Sequence, residues 1–384
     1  MNAKQFIQQI NTASRSKDWR LSFVPFTIGC VYLWFGIFRL EWNLYHLSLF
    51  FLSIFTTFGF AAFGYFINDF FDQTEDYKAG KLNKLSVLKT YQIAILFIFI
   101  CGLTFLPWLY LPKDNTTYCL ISIEIFCFIA YSFPVIRLKE KAYLAGILDA
   151  SYAYLIPALL SYHTFSLISN IEINEGYLLL FFALLFFVGY RNILIHQIKD
   201  VLNDSKSGLK TLPKVLGTAQ TKLFFVIVFV VELSLMLGSS VAFMRLDKLY
   251  WFWVGLVLIY LWINRLAIKE ILNGSNFILL KEKRQSLDLF YQLWFPMMHL
   301  FILIFTDWKW IMLLPIHAVI LVNKDYIIEI WQNAKELFWH KSTKPLFSFI
   351  VNTLVYWLFR LIGINLIKEN KSAKEYLKAK FTAK

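Results

Sequence analysis

Two acidic motifs with the same spacing occur in this chain. Residues 72–80 read Asp-Gln-Thr-Glu-Asp-Tyr-Lys-Ala-Gly and residues 200–208 read Asp-Val-Leu-Asn-Asp-Ser-Lys-Ser-Gly, and each follows a long apolar segment. Aspartates four residues apart share one face of a helix. Asn68 extends the first face by a turn, and His196 extends the second. Carboxylates grouped in this way hold divalent cations, and they suit an Mg²⁺ ion that carries a substrate phosphate.

The first motif lies in a dense acidic segment. Four acids and an amide fall within the nine residues 68–76. A solvated loop at a membrane surface would account for the acidity. It would not account for the alignment of Asn68, Asp72 and Asp76 at intervals of four, nor for the second copy.

Basic residues accompany the acids. Carboxylates can hold Mg²⁺, Mg²⁺ can hold phosphate oxygens, and Lys or Arg can neutralise the remaining charge of a diphosphate. Any single Lys could instead serve only to set membrane topology. Arg137 and Lys139 are the better candidate ligands, because Pro134 fixes a break in the chain before them. The basic residues near the motifs are Lys78, Lys81, Lys84, Arg137, Lys139, Lys141, Lys199, Lys206 and Lys210.

Ionisable residues also occur inside apolar segments, where they are costly and tend to face a cavity or a partner. Asp149, Arg191 and His196 lie toward the same membrane side as the acidic motifs, so we predict that they line a cavity or contact a second substrate. Glu124 and Glu232 lie nearer the middle of their segments. A structural hydrogen-bonding role is the alternative for each of these residues.

The composition predicts a polytopic membrane protein. Of 384 residues, 58% are hydrophobic and only 16% are charged, and the mean hydropathy is +0.57. A soluble domain is usually about half apolar and a quarter charged. We therefore expect an all-α bundle of about nine or ten transmembrane helices of roughly 20 residues each. The apolar runs are 21–38, 46–67, 90–112, 116–135, 143–163, 177–197, 220–243, 249–264, 289–306 and 308–322.

Charge orients this predicted bundle. The net charge is +13, and alternate connections between the apolar runs are rich in Lys and Arg. Such connections belong in the cytoplasm, which would place both acidic motifs there. The basic residues are not grouped on a soluble module, so we do not expect nucleic-acid binding. The basic connections are 68–89, 136–142, 199–222 and 265–284.

The C-terminal region is predicted to be an addition to the bundle. Residues 346–367 are apolar but carry a polar stripe of Asn352, Tyr356 and Arg360, and a Lys-rich tail follows. This pattern favours a helix lying on the cytoplasmic leaflet; a spanning helix is the alternative. The predicted divisions are a cytoplasmic segment 1–20, a transmembrane bundle 21–322 and an amphipathic basic extension 323–384.

The motifs resemble those of the UbiA superfamily of intramembrane prenyltransferases. Residues 68–76 match the family pattern Asn-Asp-x-x-Asp-x-x-x-Asp at every fixed position. The second motif and the Thr-Leu-Pro that follows it, residues 200–213, also fit. The segment from Tyr131 to Lys139 is similar to the family's connection after the fourth helix. The resemblance covers roughly residues 15–310.

The resemblance implies a prenyltransferase in which two or more Mg²⁺ ions bridge the diphosphate of a prenyl diphosphate. The leaving of diphosphate would give an allylic cation, which a lipophilic and usually aromatic acceptor, such as a quinone precursor, would capture. The protein would be integral to a bacterial inner membrane, with membrane lipid as its surroundings. The implied metal ligands are Asn68, Asp69, Asp72, Asp76, Asp200 and Asp204, of which Asp72, Asp76, Asp200 and Asp204 are the central catalytic acids. The implied diphosphate ligands are Arg137, Lys139, Lys210, Lys84 and Tyr131.

Two departures from the family pattern are visible. Gln197 stands where many members have an Asp, and Leu85 follows Lys84 where an Arg-Pro pair is common. Three other functions stay open. The enzyme could cyclise the prenyl chain, or transfer it to a non-aromatic lipid or sugar-phosphate acceptor. A transporter of divalent cations or organic phosphates is the alternative from another class, although transport sites usually lie nearer the middle of the bilayer.

Overall fold

In a computed structural model, the described part of the chain is almost wholly helical. The chain divides into two compact units, Met1–Ile311 and Met312–Lys384, and the candidate site lies in the first. Helices are the only regular elements in the described ranges. The described residues are 12–16, 24–78, 80, 82–207, 211–273 and 290–320, without the side chains of 199, 200, 202–207, 263, 266, 267, 270, 319 and 320.

The helices follow one another through short connections. The α-helices are α1 (Val24–Ile37), α2 (Leu44–Phe71), α3 (Gln73–Lys78), α4 (Thr90–Phe105), α5 (Asn115–Ser132), α6 (Ala142–Ala150), α7 (Ile156–Ser166), α8 (Glu175–Ser207), α9 (Leu212–Leu246), α10 (Trp251–Ile263), α11 (Arg265–Leu272), α12 (Phe295–Thr306) and α13 (Leu313–Ile320). Turns of 3₁₀-helix occur at Lys84–Val87, Leu106–Leu109, Leu138–Glu140, Lys248–Tyr250 and Trp308–Met312, and π-helical turns occur at Ser151–Leu155 and Phe290–Trp294.

The all-α polytopic fold is confirmed. The first nine predicted apolar runs coincide with helices, and six helical segments are long and apolar enough to cross a membrane. The tenth run, 308–322, starts as a 3₁₀ turn and continues as α13 to the edge of the described range, so its spanning stays a prediction. The divisions at residues 20 and 322 stay predictions too, and the extension 323–384 lies outside the described residues. The six spanning segments are Leu44–Phe71, Thr90–Leu109, Asn115–Ser132, Ala142–Ser166, Glu175–Ile198 and Leu212–Leu246.

Helix α1 is the most enclosed element of the first unit. Every residue from Val24 to Ile37 is buried, as expected for a helix that is apolar all round. It packs against α2, α7 and α12. A Cβ added at Gly29 would lie 2.7 Å from the ring of Phe295 on α12. Glycine therefore permits the close approach of these two helices.

Two helical segments beside α1 contain a π turn, and each π turn lies just before a proline. The π turn Ser151–Leu155 precedes Pro157, and the π turn Phe290–Trp294 precedes Pro296. Proline offers no backbone N–H, so the regular helical ladder is interrupted there. The loosened turns project polar aromatic side chains toward the interior, and single π turns are often found at functional sites.

The outward faces of the spanning helices are apolar. Ile98 on α4 is 70% exposed and Leu223 on α9 is 63% exposed. A soluble protein would not expose so many large apolar side chains together. In a bilayer these faces contact lipid chains, while the helices satisfy their own backbone hydrogen bonds.

Candidate active site

The end of helix α2 positions the first acidic motif. Asp72 caps the helix, with its N–H bonded to the carbonyl of Asn68 at 3.0 Å. Helix α3 starts at the next residue, and the N–H of Asp76 bonds to the carbonyl of Asp72 at 2.8 Å. Because hydrogen bonds of helical spacing continue through the break, Asn68, Asp72 and Asp76 stay one turn apart.

A lysine from the connection after α5 meets this motif. The Lys139 ammonium contacts both carboxylate oxygens of Asp72 and lies 3.3 Å from Oδ1 of Asn68. The hydroxyl of Ser132, the last residue of α5, donates to the same Asn68 oxygen at 3.1 Å. Three oxygen atoms from the first motif therefore converge on one cationic group.

Arg137 forms the other cationic part of the site. Its guanidinium lies 3.3 Å from Asp72 Oδ1 and 3.2 Å from Glu75 Oε1, and it also pairs with Glu140. Only 8% of Arg137 is exposed. Its backbone is left-handed, with φ 38° and ψ 57°, a conformation that a bulky residue adopts at a cost and that is common at functional sites. The turn after Pro134 holds it there, through a bond from Arg137 N to the Phe133 carbonyl at 2.7 Å.

Burial works against the charges of this site. It raises the pKa of the Asp72 carboxyl, although Lys139 and Arg137 pull that pKa down. It lowers the pKa of the Lys139 ammonium, although Asp72 pulls it up. Desolvation thus outweighs the mutual attraction of the pair. Such a pair gains from further charged or polar partners, which a metal-bound diphosphate would provide.

Asn83 was not identified from the sequence, yet it organises the loop after α3. Its amide group donates to the Asp69 carbonyl at 2.8 Å and to Oδ2 of Asp76 at 2.9 Å. Its side-chain oxygen accepts from the N–H of Leu85 at 3.0 Å, so it also starts the 3₁₀ turn that begins at Lys84. Asn in front of a short turn is a recognisable Asx pattern, but nothing in that pattern indicates the contact with Asp76.

Asp69 faces a different partner from its neighbours. Its Oδ1 lies 3.2 Å from the guanidinium of Arg15, whose carbon atom is 4.7 Å from the ring centre of Tyr65. Asp69 is 4% exposed. The structure therefore places this predicted metal ligand against an arginine from the N-terminal segment, and its role as a metal ligand stays a prediction.

Tyr131 and Asp149 lie on the membrane side of the acids. The rings of Tyr131 and Tyr152 meet edge to face at 5.5 Å, and the ring of Phe128 lies 4.9 Å from that of Tyr152. The Tyr152 hydroxyl donates to Oδ2 of Asp149 at 2.6 Å. Tyr131 precedes Ser132, which bonds to Asn68, so this aromatic group and the Asn68 contact both involve the end of α5.

The second motif ends a long helix. The backbone of Asp200 and Asp204 belongs to α8, which runs to Ser207. Their side chains and the whole of Lys210 lie outside the described residues, so their predicted roles stay predictions. Thr211 then opens α9. Gly217 bends that helix near its start, with φ 75°, a backbone conformation that favours glycine.

Arg191 is enclosed in the middle of the bundle. Its Nε lies 2.5 Å from Oε2 of Glu232, and one of its terminal nitrogens donates to Asn192 at 3.0 Å. The Tyr291 hydroxyl donates to the other Glu232 oxygen at 2.9 Å, and the Asn192 amide donates to the Tyr154 hydroxyl at 2.6 Å. Arg191 is 0% exposed and Glu232 2%. These contacts fit the alternative role for Arg191, a structural ion pair, and its predicted role as a cavity or second-substrate residue stays a prediction.

Two further predicted residues lie at the edges of the site. His196 is exposed on α8, one turn before Asp200. Lys84 is half-buried at the first position of the 3₁₀ turn that Asn83 caps. Their predicted roles, as a cavity residue and a diphosphate ligand, stay predictions.

The donor set of the first motif fits a hard divalent cation. Asn68 Oδ1 and the two oxygens of Asp72 already surround a positive group, and carboxylate and amide oxygens are the ligands that Mg²⁺ uses in proteins. No group of three His, Cys, Asp or Glu residues converges as a complete metal site among the described residues. The second motif, whose side chains lie outside those residues, would have to supply the rest.

Comparisons with known proteins show the family of the chain and relatives with a similar fold. The model of the UbiA prenyltransferase family matches residues 22–276. A UbiA homologue from Archaeoglobus fulgidus, solved with GPP and Mg²⁺, superimposes with a TM-score of 0.53 at 17% identity, over 77% of this chain and 99% of that one. The same homologue with DMAPP and Mg²⁺ gives 0.52 at 16% identity, over 77% and 99%.

A structure of a digeranylgeranylglyceryl phosphate synthase gives a TM-score of 0.50 at 14% identity, over 79% of this chain and 97% of the other. At such identities the likeness shows a shared fold. No curated protein sequence matches the chain.

Proposed function

The chain belongs to the UbiA prenyltransferase family, and on that premise we propose that it transfers an isoprenoid chain from a prenyl diphosphate to a lipophilic aromatic acceptor. One observation supports this proposal above the others. Oxygen ligands from Asn68 and Asp72 share a single location with the cations of Lys139 and Arg137. Such a mixture suits a diphosphate held through a divalent cation.

The acids of both motifs would hold the metal. Asn68, Asp72 and Asp76 come from the end of α2, and Asp200 and Asp204 come from the end of α8. A bound Mg²⁺ supplies electrostatic stabilisation of the charge that develops on the leaving diphosphate. The homologue that was solved with GPP and with DMAPP contains Mg²⁺ in both cases, which favours the same cation here.

Lys139 and Arg137 would bind the diphosphate oxygens. Both are held on a fixed turn and already point at the acids, so little reorganisation precedes the reaction. Preorganised cations aimed at developing negative charge lower the barrier to its formation. Arg137 can offer two parallel donors to a phosphate, which a lysine cannot do.

The aromatic side chains would receive the prenyl chain. Tyr131, Tyr152 and Phe128 form a continuous aromatic surface, and Tyr131 precedes Ser132, which bonds to Asn68. Their rings exclude water, which would otherwise capture an allylic cation, and their faces attract positive charge. The sidedness follows from charge: Lys and Arg are concentrated on the connections that hold the motifs, which favours a cytoplasmic site in a bacterial inner membrane.

A second acceptor class has one observation in its favour. The fold is similar to that of a digeranylgeranylglyceryl phosphate synthase, whose product carries a glyceryl phosphate. Transfer to a non-aromatic lipid phosphate is therefore the alternative proposal.

The test is a product analysis with purified protein in detergent. Radiolabelled geranyl, farnesyl and geranylgeranyl diphosphates are incubated with Mg²⁺ and with phenolic acceptors, with prenylglyceryl phosphate or with no acceptor. We expect acceptor-dependent release of diphosphate and a labelled prenyl phenol. A labelled phosphate lipid would favour the alternative, and a cyclic hydrocarbon formed without acceptor would identify a cyclase. The proposal fails if no prenyl diphosphate is cleaved.

Asp72→Asn and Asp114→Asn form a matched pair of variants for this assay. Asp114 caps α5 at the opposite membrane side from the motifs, where it accepts from Thr117 N at 2.9 Å and contacts His163 at 2.7 Å. Asn is also an effective cap. Asp114→Asn should therefore stay active, whereas Asp72→Asn should not.

A further inference from the structure

A carboxylate lies within a spanning helix, beyond the aromatic side chains of the site. Asp149 is the next-to-last residue of α6, two positions before the start of the π turn Ser151–Leu155. An acid inside a membrane segment is expensive and is usually retained for function. Neither metal binding nor diphosphate binding, as described above, uses it.

A short series of contacts joins Asp149 to the acidic motif. Asn68 accepts from Ser132 at 3.1 Å, and Tyr131 precedes Ser132 at the end of α5. The Tyr131 ring is 5.5 Å from that of Tyr152, and the Tyr152 hydroxyl donates to Asp149 at 2.6 Å. The Tyr131 and Tyr152 rings therefore connect the Asp149 hydrogen bond to the end of α5, whose last residue bonds to Asn68.

Tyr152 lies three residues after Asp149, so the two side chains are neighbours on one helix face. The Tyr152 hydroxyl therefore reaches Asp149 while the Tyr152 ring packs on Tyr131. The hydroxyl of Tyr154, two positions on, accepts a hydrogen bond from Asn192 instead. The two tyrosines thus have different neighbours, and the Tyr152 ring is the one that contacts Tyr131.

One oxygen of the carboxylate is fixed and the other is available. Oδ2 accepts the bond from Tyr152, whereas Oδ1 accepts none from the described part of the chain. Asp149 and Tyr152 are both only partly buried. Asp149 Oδ1 can therefore accept a hydrogen bond from the hydroxyl group of a bound molecule.

We propose that Asp149 binds the hydroxyl of a phenolic acceptor and takes its proton, and that Tyr152 is the residue that positions Asp149. This inference rests on the proposed prenyl transfer and names the acceptor class for it. A phenol fits because its ring would lie against Tyr131 and Phe128, on the same surface that receives the prenyl chain.

The reaction balances without any oxidant or reductant. The C–O bond of the prenyl diphosphate breaks, and its electron pair leaves with the diphosphate. Asp149 removes the phenolic proton, which makes the ring carbon ortho or para to the oxygen more nucleophilic. That carbon forms the new C–C bond, and its own proton is then lost to the diphosphate or to water. Asp149 returns its proton to the oxygen, so the net products are a prenyl phenol and protonated diphosphate.

The test compares Asp149→Asn and Tyr152→Phe with a control, Tyr143→Phe. Tyr143 is 49% exposed on the same helix and its ring faces Phe224, so its hydroxyl is remote from the proposed contacts. The probes are 2-naphthol and its methyl ether, supplied with labelled geranyl diphosphate and Mg²⁺ to the full-length protein in detergent. Transfer, formation of prenyl alcohol and the dissociation constant for geranyl diphosphate are each measured.

We expect wild type and Tyr143→Phe to prenylate 2-naphthol and not its ether. Asp149→Asn should lose transfer by on the order of a hundredfold, the usual contribution of a general base, with an unchanged dissociation constant and with the product diverted to prenyl alcohol. Tyr152→Phe should lower kcat by about tenfold, within the range expected of a group that acts through another, and leave the KM for geranyl diphosphate unaltered.

Three results would overturn the inference: full transfer by Asp149→Asn, equal use of the ether by wild type, or cleavage by wild type without prenylation of the naphthol. Weakened binding of geranyl diphosphate in Asp149→Asn would also reject it, because the residue would then belong to the diphosphate site. In each of these cases the enzyme still cleaves geranyl diphosphate, so the first step of the proposed function stands. Failure of wild type to cleave geranyl diphosphate, in contrast, would remove the proposed function itself.

Discussion

Carboxylates and basic side chains meet at two places in this molecule, and the two places are built differently. At the end of α2, the Asp72 carboxylate contacts both Lys139 and Arg137. The side chains of Asp72 and Lys139 are 14% and 11% exposed. In the middle of the bundle, Arg191 and Glu232 meet at 2.5 Å, and their side chains taken alone are 0% and 3% exposed. The first pair is partly open to a ligand, as the proposed function requires. The second pair is shielded from water.

The difference shows that charge pairing alone does not mark an active site. A buried ion pair must have all its groups satisfied within the protein, because losing one partner leaves a charge without compensation. Glu232 meets this requirement with Arg191 on one oxygen and Tyr291 on the other. At the end of α2, by contrast, the cations lie against oxygens that would prefer a metal, and the cluster lies at the boundary with water.

Metal removal should give the largest contrast between the two places. EDTA should abolish cleavage of prenyl diphosphate. The oxygen ligands of the first motif suit Mg²⁺, and the positive charge of Mg²⁺ stabilises the negative charge that develops on the leaving diphosphate. Thermal unfolding in detergent should change little, since the Arg191–Glu232 pair needs no metal. Release of labelled diphosphate is measured with and without added Mg²⁺. Full activity in EDTA would contradict the metal assignment.

Glu232→Ala should cause the largest loss of stability. Removing one partner of a buried pair costs about 3–5 kcal/mol, seen as a lower Tm of the purified protein. The double variant Arg191→Met with Glu232→Leu should recover much of that stability, because no charge is then left buried. An unchanged Tm in Glu232→Ala would show that the pair is not the closed structural contact described here.

Asp72→Asn should have the opposite effect to Glu232→Ala: a large loss of turnover and little change in Tm. Loss of a metal ligand should lower turnover by on the order of a hundredfold, whereas the Tm should stay near that of wild type, because Asn keeps the shape of the side chain and burial already disfavours the Asp72 charge. Turnover and Tm are measured on the same preparation. Near-normal turnover would assign Asp72 to a solvated surface.

Asn83→Ala should have the smallest effect of this series. It removes the bonds to the Asp69 carbonyl and Asp76 but no charge. A hydrogen bond to a charged group contributes about 1.5–3 kcal/mol, so we expect roughly tenfold weaker binding of Mg²⁺ and a smaller loss of kcat. Activity is titrated against Mg²⁺ concentration. An unchanged titration would restrict Asn83 to holding the turn at Lys84.

Much of the fold was predictable, because helices in a membrane must satisfy their backbones locally and so appear as long apolar runs. Nine runs became helices for that reason. The π turns were not predictable: Pro157 and Pro296 indicate an interruption, but not whether the helix breaks, bends or gains a residue.

The site was predictable where spacing alone decides. Asn68, Asp72 and Asp76 follow from helix periodicity, and Lys139 was indicated by its position after a proline. The contacts that depend on the packing of distant segments could not be predicted from the sequence. Arg15 with Asp69, Asn83 with Asp76 and Arg191 with Glu232 each join residues that share no local pattern, and only the assembled bundle brings them together.

The burial of α1 has a consequence for biosynthesis. This segment packs against α12, which is synthesised roughly 270 residues later. At about 5–20 residues per second this is a delay of roughly 15–50 s. During that interval α1 must rest against lipid or an insertion factor. Truncated chains that end before α12 should therefore leave α1 accessible to lipid-phase cross-linkers, and full-length chains should protect it.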